Sequence, residues 1–298
     1  MHPGAGVPRP MDGCRKRRRT RPFHTLLTTM IVPMPDHNIA SPTASLYTHT
    51  AGEGPDVVLV HGWGMHSGVW EGVAEALIDH HRVTVLDLPG HGYSRQAEAG
   101  HTLADLTVTA VAAVPAPAAW VGWSLGGLVA QQAALTMPER VGRLVLVNST
   151  PCFVQRPDWP YGIARPVLHH FAEELRQNHR AVLKRFIALE VHGSERASAQ
   201  LHLLKAMLFQ HGEPEVAALE DGLAILESTD LRAGLSRIAC PTLLLMGQRD
   251  QLVPAAAGEA MLALLPDARL HVFPRAGHAP FFSHPIAFTT ELRAFLDG

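Results

Sequence analysis

The pentapeptide Gly122-Trp123-Ser124-Leu125-Gly126 constrains this chain more than any other stretch. It spells G-x-S-x-G between a short apolar run, 118–121, and an apolar stretch of helical character, 125–137. Strand, sharp turn and helix in that order make a nucleophile elbow, in which a serine on a strained turn is presented at the top of a sheet. Glycines on either side let strand and helix approach closely. The bare pattern is weak, because 25 glycines make chance matches easy; the surrounding pattern has to support it.

That pattern is an alternation. From residue 45 onward, strands are expected at Asp56–Val60, Arg82–Leu86, 118–121, 143–147, 242–246 and 270–273, with helices at 69–77, 125–137, 255–265 and 286–296. Near-continuous apolar runs suit strands covered on both faces. Strands alternating with helices make parallel βαβ units. The expected fold class is therefore α/β, a mostly parallel, doubly wound sheet.

Residues 151–230 break the rhythm, with helical patterning and no strand-like run. They are expected to form a helical lid inserted after a central strand, over the strand ends where open α/β sheets bind ligands. The core would then be 44–150 and 231–298. Residues 1–43 are proline-rich and carry the basic block Arg15-Lys16-Arg17-Arg18-Arg19. They read as a disordered extension. The apolar stretch behind the block is too short and too broken for an export signal.

A serine hydroxyl needs an imidazole base, and the base needs a carboxylate to fix its tautomer. Asp250 follows the strand at 242–246, and His278 follows the last strand, in Ala-Gly-His-Ala-Pro. Ser124, Asp250 and His278 thus fall on loops at one edge of the sheet, in the order serine, acid, histidine. Asp230 is the runner-up acid; Asp87, which precedes the serine, reads as a turn residue. Oxyanion donors are expected from the backbone N–H groups of Leu125 and of Trp63, in His61-Gly62-Trp63-Gly64.

Composition removes other classes. The formal net charge of −2 lacks the basic excess of a nucleic-acid binder. No run of 18 apolar residues is available to span a membrane. Cys14, Cys152 and Cys240 form no CxxC, which suits a reducing, cytoplasmic setting. There is no H-E-x-x-H, and the pairs His80-His81 and His169-His170 lack partners at ligand spacing, so no metal is expected. With no P-loop or G-x-G-x-x-G, no nucleotide cofactor is expected either.

From residue 45 to the end, the chain resembles the α/β-hydrolases. The motifs are Val-His-Gly-Trp-Gly, Asp-Leu-Pro-Gly-His-Gly-Tyr-Ser, Gly-Trp-Ser-Leu-Gly-Gly, Gly-Gln-Arg-Asp and Ala-Gly-His-Ala-Pro-Phe. More narrowly it resembles the BioH-type pimeloyl-[acyl-carrier protein] methyl ester esterases of biotin synthesis, through Trp63, Trp123, Ser149-Thr150-Pro151-Cys152-Phe153, Asp158-Trp159-Pro160 and Arg185-Phe186-Ile187-Ala188-Leu189. The resemblance implies Ser124 as nucleophile, Asp250 as orienting acid and His278 as base. It also implies that Trp63 and Leu125 line the oxyanion side and that the segment Phe186, Ile187, Ala188, Leu189 and Glu190 contacts the acyl chain. Glu190 stands where the family more often has glutamine.

The implied partner is an acidic carrier protein. Arg176, Arg180 and Lys184 recur every four residues and would form one basic stripe on a lid helix, with Arg185 beside it. A general short-chain esterase or a C–C bond hydrolase of the same fold fits the same core motifs, and so does a non-catalytic ligand-binding relative.

Overall fold

The computed structural model describes Met1 and residues 46–97, 100–115 and 117–298. The expected extension at 1–43, its basic block and Cys14 lie outside the described residues. Seven strands form one sheet in the order β1-β3-β2-β4-β5-β6-β7. They are β1 Thr48–Ala51, β2 Asp56–Val60, β3 Arg82–Leu86, β4 Ala118–Trp123, β5 Val141–Val147, β6 Thr242–Gly247 and β7 Ala268–Phe273. All neighbours pair in parallel except β1, which runs antiparallel to β3. The expected α/β sheet is present. β1 is an addition: its sequence Thr-His-Thr-Ala is only half-buried and offers no apolar run to read.

The interior strands are as dry as their sequences demand. Val58, Leu59 and Val60 of β2 and Leu144, Val145, Leu146 and Val147 of β5 are fully buried. Each such side chain contributes about 1.5–3 kcal/mol when removed from water. The helices are α1 Glu71–Leu77, α2 Leu103–Ala112, α3 Leu125–Thr136, α4 Arg165–Val191, α5 Ala197–Met207, α6 Val216–Ser228, α7 Ala255–Leu262, α8 Pro280–Ser283 and α9 Pro285–Asp297. α2 was not anticipated. It is announced by a capping box in which Thr102 and Asp105 exchange hydrogen bonds.

Helices α4, α5 and α6 all lie between β5 and β6, within the stretch that broke the strand rhythm. α4 is not one straight rod. Asn178 has φ −155° and ψ 77°, and its side-chain oxygen accepts from the Ala181 amide at 3.0 Å. The residue ends one helical run and caps the next, which is what asparagine does well. No helix among the described residues is long and apolar enough to cross a membrane.

Candidate active site

Ser124 links β4 to α3 with φ 54° and ψ −117°. A non-glycine residue held there stores strain, and neighbours must over-determine it. They do. Ser124 N–H donates to Val147 O at 3.0 Å, while Ser124 O accepts from Gly127 N at 2.9 Å and from Ser149 Oγ at 2.8 Å. The motif glycines are required by space. A Cβ on Gly122 would lie 2.3 Å from Gly126 O, and one on Gly126 would lie 2.4 Å from Val60 O.

Asp250 and His278 come from the loops after β6 and β7. His278 Nδ1 lies 2.6 Å from Asp250 Oδ2, with both side chains fully buried. The other oxygen of Asp250 accepts from the amides of Leu252 (2.8 Å) and Val253 (3.1 Å). The carboxylate therefore serves as acceptor on both sides, and Nδ1 carries the proton. Nε2 is left to face a reacting group, and it has no hydrogen-bond partner among the described residues. Burial works against a charged His278, but Asp250, by charge and hydrogen bond, and then Glu190 outweigh it, and its pKa is raised.

The sheet edge is stitched by residues far apart in sequence. Asn148, at φ 42° just past β5, donates through Nδ2 to Gly277 O at 2.9 Å and accepts from Gly247 N at 2.7 Å. It thereby ties the end of β6 to the histidine loop. Trp123 Nε1 donates to His278 O at 2.8 Å, and its ring stands edge-on to Phe281. The residue before Ser124 thus holds the main chain of His278. No pattern along the chain signals either contact.

Gly62 brings the loop after β2 against the serine: a Cβ there would lie 3.3 Å from Ser124 Cβ. The Trp63 and Leu125 amides make no hydrogen bond to the described residues, and Leu125 begins α3, where helix N–H groups are orphaned. The Trp63 indole donates to Leu219 O of α6 at 2.9 Å and stands edge-on to Phe186 of α4, centroids 4.8 Å apart. Phe186, Ile187 and Glu190 are buried, Leu189 is half-buried and Ala188 is exposed.

Glu190 is held by its backbone, not its side chain. Its carbonyl accepts from His278 N at 2.8 Å, whereas neither carboxyl oxygen has a partner among the described residues. Burial pushes its pKa up to about 8, against the pull of His278 and with the help of Asp250.

The expected basic stripe needs correcting. The break at Asn178 separates Arg176 from Arg180, so the four-residue spacing does not run along one helix. The arginines are also engaged: Arg176 with Glu220 at 2.7 Å, Arg180 with Glu213, and Arg185 with Glu174. Lys184 is the member of the set that makes no ion pair among the described residues. The alternative acids are occupied elsewhere. Asp230 binds Arg232 at 2.8 Å, and Asp87 accepts from the amides of Ser67 (2.6 Å) and Tyr93 (2.8 Å) as a turn brace.

The fold also gathers His66, Asp87 and His211, with one potential metal-ligating atom from each within 4.8 Å of the others. These residues are 145 positions apart at the extremes, beyond the reach of spacing rules. His66 and Asp87 already have work, whereas His211 Nδ1 has no hydrogen-bond partner among the described residues. His66 uses one nitrogen toward Met207 O (2.8 Å) and the other toward Gly68 N (3.1 Å), and the two rings stack at 4.0 Å. In-plane lone pairs on stacked rings do not converge on one ion, so the trio is better suited to packing than to ligation.

Comparison with known proteins places this geometry. The model of the alpha/beta hydrolase fold family matches residues 55–285. A pimeloyl-[acyl-carrier protein] methyl ester esterase of Nitrosomonas europaea is 46% identical over 83% of this chain and 98% of its own. One from Aliivibrio fischeri is 44% identical over 86% and 98%. Among solved structures, an esterase from Exiguobacterium antarcticum superposes with TM-score 0.77 at 24% identity, covering 85% of this chain and 96% of that one. A hydrolase from Pseudomonas aeruginosa gives TM-score 0.70 at 30% identity, covering 85% and 94%.

Proposed function

The chain belongs to the α/β-hydrolase family, and on that premise we propose that it is a serine carboxylesterase that hydrolyses the methyl ester of pimeloyl-[acyl-carrier protein] in biotin synthesis. The observation that carries the chemistry is the buried Asp250–His278 pair, with Nε2 left unbonded on the same sheet edge as the strained Ser124. The identity to esterases of that name over nearly their whole length supports the substrate.

In this reading Ser124 Oγ attacks the ester carbonyl while His278 Nε2 takes its proton. The oxyanion is met by the Trp63 and Leu125 amides, each worth about 2.7–4 kcal/mol of barrier. The imidazolium returns the proton to the methoxy oxygen, and methanol leaves. Water then attacks the acyl-enzyme with His278 again as base, freeing the acid and Ser124. Asp250 holds the tautomer throughout. The segment 151–230 serves as the lid, and Phe186, Ile187 and Trp63 wall the acyl chain. The carrier protein is the transient partner.

Two measurements test this. Ser124→Ala should remove turnover of p-nitrophenyl butyrate while preserving the melting temperature; retained turnover would refute the nucleophile. Expression in a strain lacking this esterase should restore growth without biotin. Soluble, Ser124-dependent esterase that fails to rescue would leave a general short-chain esterase as the better description.

A further inference from the structure

His91 holds a buried acceptor to which nothing donates. Its Nδ1 lies 2.9 Å from Pro89 O. A carbonyl only accepts, so Nδ1 carries the proton and Nε2 keeps a bare lone pair. That nitrogen has no hydrogen-bond partner among the described residues, in a residue only 3% exposed. The ring beside it has no donor to spare. His61, with centroids 5.3 Å apart, commits one nitrogen to Gly62 O and the other to the Leu88 amide. Burial lowers the His91 pKa, with help from His66 and against Pro89 O and Asp87, so the ring is neutral at pH 7. Buried polar atoms are nearly always satisfied, and each exception calls for an explanation.

His91 lines a cavity of about 380 Å³ between the loop after β3 and helix α6. Small-molecule sites of this size are mostly apolar, with a few placed polar groups that fix orientation. Leu88, Leu106, Leu125 and Ala218 supply the apolar wall. Two ion pairs join its loop side to α6: Arg95 with Glu215 at 2.5 Å and His101 with Asp221 at 2.6 Å. Each charge there meets its opposite, so the cavity has no unopposed charge with which to draw an ion. Glu215 N–H also donates to Gly90 O at 2.8 Å. A Cβ on Gly90, where φ is 74°, would lie 2.2 Å from Ala218 Cβ. Glycine is what lets α6 come this close, and the lip of the cavity is pinned there.

We propose that this cavity is a second binding site, for uncharged aliphatic molecules that carry a hydroxyl or amide donor. The donor meets His91 Nε2, and the chain lies against Leu106 and Leu125. The chemistry follows from the lining. A neutral acceptor in an apolar wall asks for one donor on an aliphatic body, and leaving that acceptor unmet is costly. Anions bring no donor, and the carboxylates at the edge already face Arg95 and His101. The site does not depend on the esterase reading. Ser124, Asp250 and His278 do not line it, and it adjoins them through Leu125, the residue after Ser124.

The experiment is calorimetric titration of the full chain with hexan-1-ol, with hexanamide and with methyl pentyl ether, the isomer of hexan-1-ol that lacks a donor. Wild type should bind a donor-bearing probe about tenfold tighter than the ether, the weight of one hydrogen bond. Whichever of hexan-1-ol and hexanamide binds tighter names the donor, and either result supports the site. His91→Phe keeps a ring and removes the acceptor. It should bind all three probes alike, at the affinity of the ether. Leu106→Trp fills the cavity and should lose all three. Both variants should keep the melting temperature and the turnover of p-nitrophenyl acetate. Equal affinity of wild type for all three probes overturns the proposal, and so does a donor preference that survives in His91→Phe. Binding that Leu106→Trp leaves intact is seated elsewhere and overturns it too. If no probe binds, water meets Nε2 and the proposal fails. If one variant does not fold, the wild-type preference together with the other variant decides the matter.

Discussion

The loops at the C-terminal edge of the sheet and the helical segment above them use polar residues in opposite ways. In the loops the polar groups are buried and tied to backbone: Asp250 to two amides and His278, Asn148 to Gly247 and Gly277, Trp123 to the His278 carbonyl. In the segment the charges meet one another largely at the surface: Arg165 with Glu227, Arg176 with Glu220, Arg180 with Glu213. Buried bonds to backbone fix a position, because leaving either partner unpaired is expensive. Exposed ion pairs are weak, screened and exchangeable. The edge that carries Ser124, Asp250 and His278 is thus built to hold still, and the helical segment to tolerate change.

The contrast can be broken most severely at Asp250. Asp250→Asn would keep its oxygen on the Leu252 and Val253 amides and point an NH2 group at His278 Nδ1. That forces the wrong tautomer, so kcat should drop by about 10⁴-fold with little change in fold. Near-normal kcat would refute the orienting role. Next comes Trp123→Phe, which leaves His278 O without its donor. A loss of about 1–3 kcal/mol in stability is expected in denaturant titrations, together with a roughly tenfold lower kcat; unchanged values would show the stitch to be incidental.

A smaller effect comes from acid. His61 is fully buried, uses both nitrogens as a neutral ring (to Gly62 O at 2.8 Å and from Leu88 N at 2.9 Å) and has its pKa lowered to about 3 by burial and by His91. The unfolded chain therefore takes up that proton first. Stability is complete above about pH 6.5 and declines as pH falls toward 3, by about 1.4 kcal/mol per pH unit for such a group. Melting temperatures at pH 7, 6 and 5 should decrease in that order; a flat series would refute it. The smallest effect belongs to the segment. Arg176, Arg180 and Lys184 changed together to Glu should raise KM for a carrier-bound ester and spare small esters, since the altered charges are exposed. An equal loss on both would point to damaged packing instead.

How legible each region was follows from the same physics. The buried strands announce themselves, because a parallel strand covered on both faces has to be apolar throughout, as β2 and β5 are. Ser124, Asp250 and His278 could be picked out because their meaning lies in their place after a strand, which sequence order preserves. β1 could not, since its half-buried Thr-His-Thr-Ala owes its conformation to pairing with β3. The bonds from Trp123 and Asn148 to the histidine loop span 155 and 129 residues. Nothing local encodes them. The basic stripe failed for a different reason: four-residue spacing assumes an unbroken helix, and Asn178 prefers to start a new one.

The hydrogen bond from His278 N–H to Glu190 O also has a mechanical meaning. It joins the end of α4 to the main chain of His278 itself. At that point the second helical run of α4, after Asn178, is a pinned beam, and its fulcrum is the His278 loop. Displacement of that run would therefore grow with distance from the pin, toward the break at Asn178. Swinging the pinned end would pull the base out of register. The tolerance of the segment and the stillness of the edge meet at one bond, which divides where this molecule can yield from where it cannot.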